Sequence, residues 1–203
     1  LDKPGASGTW NSSTLDTNVM YNSVAVDDSG YPHIVYYQKA SSGTDYPDLK
    51  YAYLDADGWH IVTLETTQSG SGYYVSLALD SAGYPHIAYS QSTPDKLKYA
   101  YQDATGWHFY DLITNIDVSY ITLVLYNDLP QISFYDNTAE KIKYTYYNGT
   151  DWFTEDVTST PVYGHWNSMD LNLNGNPRIS FYSVNINTLT GVLMYAKRTP
   201  TGI

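Results

Sequence analysis

Short runs of alternating apolar and polar residues recur along the chain, each broken by a tight turn and a proline. Four of them align: SVAVDDSGYPHIVY at 23–36, SLALDSAGYPHIAY at 76–89, TLVLYNDLPQISFY at 122–135 and SMDLNLNGNPRISFY at 168–182. A two-residue period places alternate side chains on opposite faces of a strand. Each run therefore predicts a strand A, a turn and a strand B. Gly30, Gly83 and Gly175 supply the positive φ of the turn. Pro32, Pro85, Pro130 and Pro177 open strand B, where a missing N–H is tolerated. Strand C follows as LKYAY at 49–53, LKYAY at 97–101, IKYTY at 142–146 and LMYAK at 193–197. Strand D reads WHIVTL at 59–64, WHFYDL at 107–112 and WFTEDV at 152–157.

The leading residues Ser23, Ser76, Thr122 and Ser168 lie 53, 46 and 46 positions apart. A period in the forties with several short strands per unit predicts propeller blades. The expected fold is all-β: a single-domain, four-bladed β-propeller over 1–203 with four antiparallel strands per blade. Blade 1 spans about 23–64, blade 2 about 76–112, blade 3 about 122–157 and blade 4 about 168–198. The fourth unit stops after strand C. WNSSTL at 10–15 has the Trp-x4-Leu form of a strand D. The expectation is that this N-terminal strand completes blade 4 and closes the ring, which removes two exposed sheet edges. A β-sandwich of similar strand count is the alternative, but a sandwich needs neither a four-fold repeat nor a displaced strand.

On these residues the chain resembles the propeller repeats of secreted bacterial and archaeal proteins. It is loosely similar to the sialidase-like, Asp-box class of propellers. The resemblance runs over 10–198 and implies the fold, not an activity. The C–D turns DADGW (55–59), DATGW (103–107) and NGTDW (148–152) lack the leading Ser or Thr of an Asp-box. Sialidases use a cluster of three arginines, whereas this chain has only Arg178 and Arg198.

Composition narrows the function. The formal net charge of −11 repels phosphate backbones, so no nucleic acid is expected as a partner. No run of 18 apolar residues exists, so membrane insertion is not expected. Cysteine is absent. Leu1 in place of Met, together with a sequence rich in Tyr, Asn, Ser and Thr and poor in Lys, leads to an extracellular or cell-surface expectation. Asn11 and Asn148 stand in sequons that a glycosylating host can use.

No catalytic residue, metal site or cofactor is expected. Asp27, Asp28, Asp55, Asp57, Asp80 and Asp103 fall in turns, where Asp commonly bonds the backbone. Asp27 and Asp28 lack the surroundings of an EF-hand. His33 and His86 share one repeat position with Gln131 and Arg178; a strand start facing solvent is the expectation there. The binding candidates are aromatic. Two residues before each strand-A Ser or Thr stand Tyr21, Tyr74, Tyr120 and Trp166. Strand A lines a propeller's channel, so these four should ring its mouth, with His165 nearby and Arg178 as a further polar candidate. Such rings suit a glycan or an extended peptide, and they equally suit packing of blade on blade. The expected function is a non-catalytic binding or adhesion module. Two alternatives stay open: a subunit that self-associates into a filament or surface layer by strand or tail exchange, and a glycan-active hydrolase.

Overall fold

The computed structural model describes residues 8–39, 47–66, 71–162, 166–185 and 187–199. Four antiparallel sheets follow one another along the chain. Blade 1 holds β1 (Val19–Val26), β2 (Pro32–Gln38), β3 (Asp48–Asp55) and β4 (Gly58–Glu65) in that spatial order. Blade 2 repeats it with β5 (Ser71–Leu79), β6 (Pro85–Gln91), β7 (Lys96–Asp103) and β8 (Gly106–Thr114). Blade 3 uses β9 (Val118–Tyr126), β10 (Leu129–Asp136), β11 (Lys141–Tyr147) and β12 (Trp152–Asp156). Among the described residues blade 4 has three strands: β13 (Asn167–Leu171), β14 (Pro177–Asn185) and β15 (Thr190–Lys197). The inner strands begin several residues earlier than the repeat suggests in the first three blades.

The turn chemistry explains the hairpins. Asp27 Oδ1 accepts from the N–H groups of Ser29 and Tyr31, and Asp80 Oδ1 does the same for Ala82 and Tyr84. Asn172 repeats the device for Asn174 and Asn176. These carboxylates and this amide build turns. Blade 3 has no glycine there. Asn127 and Asp128 both take positive φ, at 50° and 62°, and form a tighter two-residue hairpin.

The core lies between blades. Val35, Tyr37 and Leu49 of blade 1 pack on Leu77, Ile87, Tyr89 and Ala100 of blade 2. Ala88, Leu97 and Tyr99 of blade 2 pack on Leu123, Ile132 and Phe134 of blade 3. Tyr135, Ile142 and Tyr144 of blade 3 pack on Met169, Ile179 and Phe181 of blade 4. Hydroxyls stitch the inner strands across the same joints. The Leu77 N–H donates to Ser23 Oγ at 3.1 Å and the Leu123 N–H to Ser76 Oγ at 2.9 Å. Thr122 Oγ1 donates to the Asn167 carbonyl at 3.4 Å. This is the role of the Ser or Thr at the head of the first three repeats. Ser76→Ala orphans the N–H of the buried Leu123, so a stability loss of about 1–3 kcal/mol is expected in urea unfolding.

The expected closure by strand 10–15 is not present. Residues 10–15 carry no strand, and Trp10 is fully exposed. β15 is therefore the outer strand of blade 4. One local reason is visible. Asp16 is fastened to blade 1, accepting from Tyr36 Oη at 2.8 Å and Gln38 Nε2 at 2.5 Å and lying 3.7 Å from Lys50 Nζ. Arg198 lies over the Tyr146 ring and pairs with Glu155 at 2.7 Å, alongside the groove by Tyr144 and Ile179. β1 packs on β5, β5 on β9 and β9 on β13, whereas β13 and β1 form no comparable contact. Among the described residues the four blades make an open arc.

Candidate functional site

The inner strands of the first three blades each carry a break in register just ahead of their Ser or Thr. The register of β1 on β2 shifts between Met20 and Asn22, leaving Tyr21 as the extra residue. The ladders of β5 with β6 and β9 with β10 are interrupted at the same place. Tyr21, Tyr120 and Trp166 adopt φ of 44°, 54° and 59°. A bulky L-residue in this left-handed region costs about 1–3 kcal/mol and persists where its surroundings enforce it. Bulges re-aim side chains. Here they turn one ring from each of the first three blades toward its neighbours, and Trp166, left-handed just ahead of β13, joins them.

The result is a continuous row. The ring centroids of Tyr21 and Tyr74 are 5.6 Å apart, those of Tyr74 and Tyr120 4.8 Å, and those of Tyr120 and Trp166 5.5 Å. Tyr73 extends it beside Tyr21 at 5.6 Å, and Tyr182 meets Trp166 edge-on at 6.0 Å. The two ends of the row are open: Tyr21 is 49% and Trp166 64% exposed. Tyr74 and Tyr120 are half-buried. Burial, then the hydrogen bond with Tyr120, pushes the Tyr74 phenol well above its ordinary value, so it remains a neutral hydroxyl. Asn167 holds the centre of the row. Its Nδ2 donates to the Tyr120 carbonyl, and its Oδ1 accepts from Ser133 Oγ at 2.6 Å. The same repeat position holds Asn22, Val75 and Ile121 in the other blades, so the sequence pattern does not single Asn167 out.

Of the other candidates, His165 lies outside the described residues. Arg178 does not join the row. It pairs across from Asp170, whereas Asn167, next to Trp166, pairs with Phe181 at the other end of the hairpin. Its Nη1 instead donates to the Pro177 carbonyl at 2.9 Å. Asn11 is exposed. Asn148 is exposed too, and its side-chain oxygen caps the turn by accepting from the N–H groups of Thr150 and Asp151.

The solvent-facing expectation for His33 and His86 is corrected. Both are buried, and each pairs through Nδ1 with a strand-C phenol, His33 with Tyr51 and His86 with Tyr99 at 2.5 Å. In blade 3 Gln131 Oε1 accepts from Tyr144 Oη at 2.6 Å. In the first three blades the residue after the turn proline is thus the buried hydrogen-bond partner of a strand-C tyrosine. Burial holds the His86 imidazole below its ordinary value near 6.5, outweighing the Asp80 carboxylate. The native state therefore binds fewer protons than the unfolded chain. The stability tied to His86 is full above about pH 6.5 and declines as pH falls. His86→Gln, copying blade 3, is expected to flatten the unfolding free energy between about pH 7 and pH 5.

His60 and His108 stack on Tyr53 and Tyr101 and pair with Asp55 and Asp103 at 2.9 and 3.1 Å. The Thr105 hydroxyl, then His108, lowers the Asp103 carboxyl to about 2. Among the described residues no group of three His, Asp or Glu is placed to hold a metal ion. A second concavity, of about 210 Å³, lies between blades 2 and 3 at the His86 end, lined by Tyr99, Tyr101, Tyr110 and Trp152.

No family model matches the chain, and no curated protein matches its sequence. Solved structures do match its fold. An α-L-arabinanase from Penicillium chrysogenum, complexed with arabinobiose, superposes with a TM-score of 0.65 at 13% identity. That match covers 89% of this chain and 63% of the fungal one. A protein of unknown function from Dyadobacter fermentans gives 0.61 at 13% identity, covering 86% of this chain and 51% of that one. An α-L-arabinofuranosidase from Fusarium graminearum, complexed with an iminosugar inhibitor, gives 0.57 at 11% identity, over 83% and 57%. The two fungal proteins are glycan-active β-propellers, so the four sheets here are propeller blades. The chain spans between half and two thirds of the length of these structures.

Proposed function

We propose that this chain is an extracellular, non-catalytic propeller module that binds glycans on the row Tyr21–Tyr74–Tyr120–Trp166. The observation that carries this reading is the left-handed backbone of three of the four residues. Blade packing alone gives no reason to hold half-exposed rings at a conformational cost. A row of rings with hydroxyls and an indole N–H at its rim offers apolar faces to sugar C–H groups and polar edges to sugar hydroxyls. The glycan-active neighbours support a sugar over a peptide. Binding is favoured over hydrolysis by the carboxylates: Asp27, Asp80, Asp55 and Asp103 are engaged in turns and ion pairs.

The test is a glycan array on the purified chain, followed by calorimetry with each hit. Trp166→Ala is expected to weaken binding about 2- to 12-fold, the equivalent of about 0.5–1.5 kcal/mol for one stacking contact. Tyr21→Gly separates the two roles of the ring. Glycine relieves the positive φ, so the melting temperature should hold while affinity falls by a similar factor. A Tyr21→Gly chain that melts much earlier yet binds normally would assign the ring to packing.

A further inference from the structure

The joint between blades is built three times among the described residues, and its two halves recur exposed, one on blade 4 and one on blade 1. On the trailing side of a blade the joint presents a strand-C leucine or isoleucine and, two residues on, a tyrosine. Leu49, Leu97 and Ile142 are fully buried there, and Tyr51, Tyr99 and Tyr144 nearly so. The same positions in blade 4 are Leu193 and Tyr195, which are 84% and 62% exposed. On the leading side the joint presents an inner-strand apolar residue and the strand-D tryptophan. Leu77, Leu123 and Met169 are buried, whereas Val24 of blade 1 is 61% exposed. Trp107 meets Tyr51 edge-on at 5.4 Å, and Trp152 meets Tyr99 at 5.2 Å. Trp59 holds that position in blade 1, and no described residue supplies it with a tyrosine in the same way. The hydroxyl stitch is split too: Ser168 stands on blade 4 where Ser23 and Ser76 stand, and Val24 on blade 1 where Leu77 stands.

We propose that the trailing face of blade 4 and the leading face of blade 1 are the two sides of one more such joint. In this chain they are filled by a second copy docked head to tail. The match is specific. Tyr195 meets the partner's Trp59, Leu193 is covered, and Ser168 Oγ accepts the N–H of the partner's Val24. The contact is heterologous, so it propagates to a closed ring or a filament. It needs no exchange of strand 10–15 or of the tails. It also sets the partner's Tyr21 next to Trp166, lengthening the aromatic row, but it rests on the inter-blade geometry and not on any ligand.

The test is complementation. One variant carries Val24→Asp and Val26→Asp, the other Leu193→Asp and Tyr195→Asp. Thr at the same four positions serves if Asp impairs folding, as judged by circular dichroism. The unaltered chain is expected to exceed its 22.8 kDa as concentration rises in light scattering. Each variant alone should stay at 22.8 kDa, because each lacks one half of the joint. Mixed one to one, they should pair through the remaining intact halves at about 46 kDa, twice the chain mass. An unaltered chain that stays at one chain's mass throughout would overturn the proposal. So would a mixture that never pairs, as in closure within one chain, or an assembly that both variants leave intact.

Discussion

Phe134→Ala is expected to remove about 3–5 kcal/mol of folding stability, the largest loss of any single ring truncation here. Phe134 is fully buried in β10, in the cluster with Ala88, Leu97, Leu123 and Ile132 that joins blade 2 to blade 3. Its neighbours are themselves fixed in strands, so they cannot collapse into the space. The lost transfer energy and the cavity then add. The joint is central in the arc, so the loss falls on the association of two blade pairs. A two-state urea transition shifted by that amount with an unchanged slope is the expected outcome. A broadened or double transition would mean that blade pairs unfold separately. A loss below about 1 kcal/mol would show that the inter-blade cores relax freely.

Glu65→Ala is expected to cost about 2–3 kcal/mol. Lys98 is buried, and its ammonium pairs with Glu65, which also accepts from Tyr89 Oη at 3.0 Å. This group ties the end of blade 1 to blade 2. Removing the carboxylate strands a buried cation and a buried phenol together. A fully buried pair broken this way costs about 3–5 kcal/mol. Glu65 is 26% exposed, and Asp111 lies 3.8 Å from Lys98 as a substitute partner, so the figure is lower. Replacing both Glu65 and Lys98 by Met should cost much less than Glu65→Ala, because no charge is then left alone. A double variant as unstable as the single one would contradict this, and urea unfolding of the pair decides it.

The blades were legible because each repeats the same local devices. The Asp27 and Asp80 turns, the prolines that follow and the apolar alternation of the strands act within a few residues, and the structure forms them there. Blade 3 kept its hairpin without the glycine, because Asn127 and Asp128 also accept the left-handed region. The stagger of Tyr21, Tyr74, Tyr120 and Trp166 was legible as a position in the repeat. Its bulges were not, since nothing in the apolar pattern marks where a ladder skips. His33 and His86 look like exposed polar residues beside a turn. Their tyrosine partners lie on the next strand, 18 and 13 residues away, and only tertiary pairing buries them. Trp10 shows the opposite error. Its pattern fits a strand D, but Asp16 just after it is bound to blade 1, and a motif says nothing about such competition.

The central claim is that the aromatic row is the binding surface, and solution NMR of the aromatic side chains tests it most directly. On titration with the tightest glycan from the array, the account predicts shifts in the ring signals of Tyr21, Tyr74, Tyr120 and Trp166. The rings at the opposite end of the blades, Tyr99, Tyr101 and Trp152 beside His86, should stay still. Shifts confined to that second cluster, or no shift in the row at saturation, would contradict it.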